Sequence, residues 1–159
     1  MINPNEEKIW QGLIHIGDEP GVYGAAAFAG LSTEFPVTIH RSPEAASGSD
    51  LVTLILVTEE VQTYAPYLGH NMVAIVYEPD PVNPNHWRVH SQTTTKITSS
   101  AAPSLVDVDL SKVTTDPIYV SLLVRADTEV TPGFYDDFLV TKVSLLADQY
   151  RYYASFGFR

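Results

Sequence analysis

Apolar and polar residues alternate with a period of two along most of this chain. The clearest case is SLVDVDL at 104–110, where Val106, Val108 and Leu110 fall on one face and Asp107 and Asp109 on the other. PIYVSLLVRA at 117–126 repeats the pattern with Ile118, Val120, Leu122 and Val124, and KIWQGLIHI at 8–16 does so with Trp10, Ile14 and Ile16. DLVTLILVT at 50–58 and NMVAIVYE at 71–78 are apolar on both faces, which predicts central strands. HWRVHSQTTTKIT at 86–98 predicts a Thr-rich strand with a polar face, and FYDDFLVTKVSLLA at 134–147 another strand. FPVTIH at 35–40 is short, and Pro36 predicts an edge position because proline donates no ladder hydrogen bond.

Between these runs lie breakers. EPDPVNPN at 78–85 holds three prolines and predicts a loop, and TPG at 131–133 predicts a turn. SPEAASGS at 42–49 fits one helical turn, with Ser42 as cap, Pro43 first and Gly48 as stop. GVYGAAAFAGL at 21–31 suits strand or helix, and its glycines favour strand. The final QYRYYASFGFR puts Tyr150, Tyr152, Ala154, Phe156 and Phe158 on one face, expected in the core, and Arg151, Tyr153 and Arg159 on the other. The sum is nine or ten short strands with little helix. It predicts an all-β chain: one antiparallel β-sandwich domain over 1–159, jelly-roll-like, with a closed barrel as the second choice.

Composition adds limits. A chain of 159 residues can bury a core without staples, and the absence of Cys excludes disulfides and thiolate sites. Lys and Arg total 9 against 19 Asp and Glu, a net charge of −10. That balance opposes nucleic acid and anionic membranes and favours a cationic partner or Ca²⁺. MINPNEEKIW lacks the basic and apolar regions of a signal peptide, so the expectation is synthesis in the cytoplasm, unless a leader was removed. No apolar run reaches the roughly 18–20 residues of a membrane helix, so no membrane insertion is expected.

No catalytic motif is present: no GxSxG, HExxH, Walker loop or GxGxxG. His86 and His90 would converge on a metal in a helix, but in a strand they lie about 13 Å apart. The Pro-rich loop offers oxygen ligands from Asp80, Asn83 and Asn85, a candidate Ca²⁺ site without EF-hand spacing. Tyr64, Tyr67 and Trp87 are candidates for a sugar platform, since each pairs an apolar body with a polar handle. GFYDDFLVTKVSLL at 133–146 resembles the closing strand of jelly-roll carbohydrate-binding modules, although the opening strand of such modules is not evident and no site residue carries over. Arg151, Tyr153 and Arg159 combine cation and aromatic on an otherwise acidic chain, the types enriched at protein interfaces. The expectation is therefore a non-enzymatic assembly subunit of the virion decoration or tail type, binding copies of itself or a larger scaffold. A carbohydrate-binding module is the alternative, and a hydrolase with dispersed carboxylates comes third.

Overall fold

The computed structural model describes residues 4–17, 26–42, 49–62, 70–97, 102–126 and 137–157. Ten strands lie there: β1 (Pro4–Ile16), β2 (Ala27–Phe28), β3 (Ser32–Arg41), β4 (Leu51–Gln62), β5 (His70–Pro79), β6 (Trp87–Lys96), β7 (Ser104–Asp109), β8 (Ile118–Ala126), β9 (Asp137–Asp148) and β10 (Tyr152–Phe156). They form two packed five-stranded sheets, in the orders β2-β1-β9-β4-β7 and β10-β3-β8-β5-β6, so the fold is an all-β sandwich. Every pairing is antiparallel except the two-residue contact of β1 with β2. No helix occurs among the described residues.

The pairings are nested about one hairpin. β5 pairs with β6, β4 with β7, β3 with β8 and β1 with β9. The chain thus folds as a long ribbon doubled on itself and rolled into two layers. Alternation along each strand supplies the layer between them. Val37 and Ile39 of β3, Val52 and Leu54 of β4, and Ile118, Val120, Leu122 and Val124 of β8 have no solvent exposure. Each such side chain contributes roughly 1.5–3 kcal/mol on burial, which is what holds the two sheets face to face. β4 and β5 are central, as their continuous apolar runs imply, and Met72 through Val76 of β5 are buried on both faces.

Several local expectations change. β3 is not an edge: it lies between β10 and β8 despite Pro36. Amide and carbonyl of one strand residue point to the same side, and the Pro36 carbonyl accepts from the Gly157 N–H on the β10 side. The missing Pro36 donor therefore costs only the shorter ladder, while β3–β8 pairing continues across Pro36 to Ser121. The Gly157 carbonyl is filled instead by the Thr38 hydroxyl at 2.5 Å. Gly157, at φ 94°, ends β10 in the left-handed region that favours glycine. Phe156, expected in the core, is 52% exposed, and Tyr150 lies in the turn before β10 and is exposed. The parity of the tail still holds, since Tyr152 is buried and Ala154 packs against the core. Phe156 shares that side but sits at the rim of an edge strand. In 21–31 only Ala27–Phe28 is strand among the described residues. The helical turn expected within 42–49 and the turn at 131–133 fall largely or wholly outside them.

Candidate functional site

The outer face of the second sheet gathers the aromatic side chains. One register row crosses all five strands: Val89 of β6, Tyr77 of β5, Tyr119 of β8, Thr38 of β3 and Ser155 of β10. The parity that sends Val76, Val120 and Val37 into the core sends these residues outward. Two residues along in the same direction, Trp87 pairs with Pro79 at one edge and Tyr153 with His40 at the other. Trp87 is 49% exposed and meets the Tyr119 ring edge-on, with centroids 4.3 Å apart. Tyr153 is 53% exposed and stacks on His40 at 4.8 Å and 16°. Burial, and then the nearby Glu34 carboxylate, push the Tyr77 phenol above its ordinary pKa. Glu34 also accepts a hydrogen bond from the Ser121 hydroxyl at 3.4 Å.

The two edges of this sheet differ. At the β10 edge the Ala154 N–H donates to Glu7 Oε2 of β1 at 2.6 Å, so a carboxylate from the other sheet occupies a donor that a further strand would use. β6 has β5 as its sole strand partner among the described residues. It is exposed at every position but His90 and Thr95. A bulge leaves His90 unmatched between Val89 and Ser91. From Val89 to Thr95 no Lys, Arg, Asp, Glu, Pro or Gly intervenes.

Arg151 and Tyr152 are committed within the chain. Arg151 Nη2 donates to Asp50 Oδ1 at 2.8 Å, and the Tyr152 hydroxyl donates to the same oxygen at 2.5 Å. Arg41 donates from Nε to the Thr115 carbonyl and from Nη2 to the Val113 carbonyl. Both guanidinium carbons lie 5.9 Å from the Tyr152 ring centre. The cluster ties the start of β10 to β3 and to the residues around β4 and β7. Of the tail residues expected to meet a partner, Arg151 is thus engaged inside the chain, Tyr153 is open, and Arg159 lies outside the described residues.

Asp80 turns its carboxylate on its own loop. Oδ1 accepts from the Val82 N–H at 2.8 Å and the Asn83 N–H at 3.4 Å, while the Asp80 N–H donates to the His86 carbonyl. That is an Asx-type turn, the use to which loop aspartates are commonly put. Asn83 approaches His86 Nδ1 at 3.5 Å, and Asn85 is exposed. No group of three or more His, Asp or Glu side chains placed to hold a metal occurs among the described residues. Tyr64 and Tyr67 lie outside them, so of the three expected sugar-platform residues only Trp87 can be placed.

One pair went unnoticed in the sequence. His15 Nε2 and Asp137 Oδ1 lie 2.8 Å apart, both buried, with the Phe28 ring 5.1 Å from the imidazole. A Cβ at Gly17 would fall 1.6 Å from Asp137 Oδ1, so only glycine leaves room for the pair. The end of β1 and the start of β9 bring the two residues together across 122 positions. The only hint in sequence was an acidic residue opening an apolar strand. The pair can position a proton, but its evident task is to fasten the two strand ends.

Comparison of the chain with protein-family models, with curated proteins and with solved structures returns no match. No helix among the described residues is long and apolar enough to cross a membrane.

Proposed function

We propose that this chain is a non-enzymatic structural subunit that assembles with copies of itself or with a larger scaffold, of the kind found as virion decoration or tail proteins. The observation that carries the reading is β6: a ten-residue edge strand, exposed on both faces, whose uncharged run from Ser91 to Thr95 carries none of the usual protection. That run extends about 17 Å beyond the His90 bulge and offers a row of backbone donors and acceptors to an added strand. Thr favours that geometry. The engagement of Arg151 with Asp50 shifts the weight of the reading from the tail to this edge. The nested pairing supports the jelly-roll form of sandwich that suits such a subunit.

The test is sedimentation and light scattering over a range of concentrations, on wild type and on a double variant, Thr93→Lys with Thr94→Lys. The wild type should associate as concentration rises. The variant, with a cation on each face of the edge, should stay monomeric at every concentration while melting like wild type. A wild type that remains monomeric throughout, alone and with a scaffold mixture from its source, would overturn the assembly reading. A variant that assembles normally would remove β6 as the surface.

A further inference from the structure

The outer face of the second sheet ends in two exposed rings placed for one extended ligand. Trp87 and Tyr153 lie in the same register row, on the first and last of five strands. Four interstrand steps separate them by roughly 19 Å along the sheet. Both rings are braced from beneath, Trp87 by Tyr119 and Tyr153 by His40, so neither pays much to become fixed. Pro79 and His40 of that row, both partly exposed, lie between them, and the neighbouring row adds the partly exposed Tyr77 beside the buried Tyr119 and Thr38. No Asp, Glu, Lys or Arg falls in this row or the next one, from Val89 to Ser155, on a chain of net charge −10.

We propose that this band binds a neutral oligosaccharide laid across the strands, with Trp87 and Tyr153 stacking on sugar rings near its two ends. The charge pattern selects the occupant. An acidic molecule that leaves these two rows free of charge, with Glu34 two rows beyond Thr38, disfavours both ionic partners and ionic polymers there. Aromatic rings take the C–H faces of a sugar, while the hydroxyl of the half-exposed Tyr153 and the imidazole of His40 can donate to and accept from its rim. The span suits a short chain of sugars rather than a single ring. This activity is separate from assembly through β6, because the band faces out of the sheet and the edge association runs in its plane.

The experiment is isothermal titration of the full chain with cellotetraose and maltotetraose, with a tetragalacturonate and a polyproline peptide as controls. A neutral tetrasaccharide should bind, and the two controls should not. Trp87→Ala should weaken binding about tenfold or more, a loss of about 1.4 kcal/mol. Tyr153→Ala should weaken the tetrasaccharide but leave the corresponding disaccharide, too short to reach it, unchanged. Both side chains are half-exposed, and circular dichroism on each variant should show the wild-type fold. The Thr93→Lys, Thr94→Lys variant should bind sugar like wild type, which keeps failure of this site distinct from failure of the assembly reading. Absence of binding by both neutral tetrasaccharides at millimolar concentration, equal affinity for tetragalacturonate, preference for the polyproline peptide, or full affinity in Trp87→Ala would each overturn the proposal.

Discussion

β10 and β6 are the two edges of one sheet, and they are finished in opposite ways. β10 is five residues long, begins at a buried tyrosine held by Asp50, has a backbone donor filled by Glu7, and stops at a left-handed glycine. β6 is twice that length, and none of its side chains is buried. One edge has its backbone closed by side chains from distant parts of the chain, and the other is held by its ladder to β5 and by the Trp87–Tyr119 ring contact, with its run from Ser91 to Thr95 exposed apart from Thr95. The difference shows that closing an edge takes tertiary contacts rather than strand chemistry. Both strands are rich in residues that favour β structure. Each edge has a neighbour in the opposite sheet, β1 beside β10 and β7 beside β6, and what sets β10 apart is the Glu7 carboxylate of β1 that fills its backbone donor.

The largest expected contrast is in stability. Tyr152→Ala opens a cavity under β10 and strips Asp50 of a donor, which should cost about 3–5 kcal/mol. Trp87→Ala on β6 removes a half-exposed ring from the surface and should cost about 1 kcal/mol. Urea unfolding followed by circular dichroism measures both. Equal losses would mean that β6 is as deeply fastened as β10, and the contrast between the edges would fail.

A smaller effect should follow from opening the closed edge. Glu7→Ala removes the acceptor of the Ala154 N–H. A hydrogen bond to a charged group contributes about 1.5–3 kcal/mol, and the lower end applies here because Glu7 is partly solvated. The freed donor should also make β10 a second site of association. In sedimentation, Glu7→Ala placed in the Thr93→Lys, Thr94→Lys background should restore concentration-dependent association. A background that stays monomeric would show that Glu7 stabilises β10 without guarding it.

The sequence revealed the strands far better than it revealed their ends. β7 and β8 were plain because every second residue from Val106 to Val108 and from Ile118 to Val124 is apolar, and a buried face permits no other register. Central placement of β4 and β5 was plain from apolar residues on both faces. The position of β3 was misread because a proline reports the loss of one donor without saying which neighbour would have received it. Phe156 was misread because parity gives the side of a sheet but not the distance from its rim. The candidate surface was half legible. Trp87 stood out by type, but its alignment with Tyr119, Tyr77 and Tyr153 depends on four separate registers. The Glu7–Ala154 contact spans 147 positions and the His15–Asp137 pair 122, and no local pattern encodes either.

The smallest expected difference is in tolerance of alkali, and it sharpens the comparison because each half of the sheet carries one shifted phenol. Burial, followed by the hydrogen bond and charge of Asp50, pushes Tyr152 above its ordinary 10.0. Burial, followed by Glu34, does the same to Tyr77 beside β6. A phenol whose pKa is raised by folding stays neutral in the fold while it already ionises in the unfolded chain. Its contribution is therefore complete below a pH of about 10 and is lost as pH rises through the folded value. Wild-type stability should fall with pH in that window. Tyr152→Phe should lower stability at neutral pH, because Asp50 loses a donor, yet flatten the alkaline slope. Tyr77→Phe should flatten it less, since no carboxylate hydrogen bond adds to burial among the causes of its shift. The measurement is urea unfolding at a series of pH values on both sides of 10. If Tyr77→Phe flattens the slope as much as Tyr152→Phe does, the Asp50 contact adds nothing beyond burial, and in this respect the β10 edge is no more tightly closed than its counterpart.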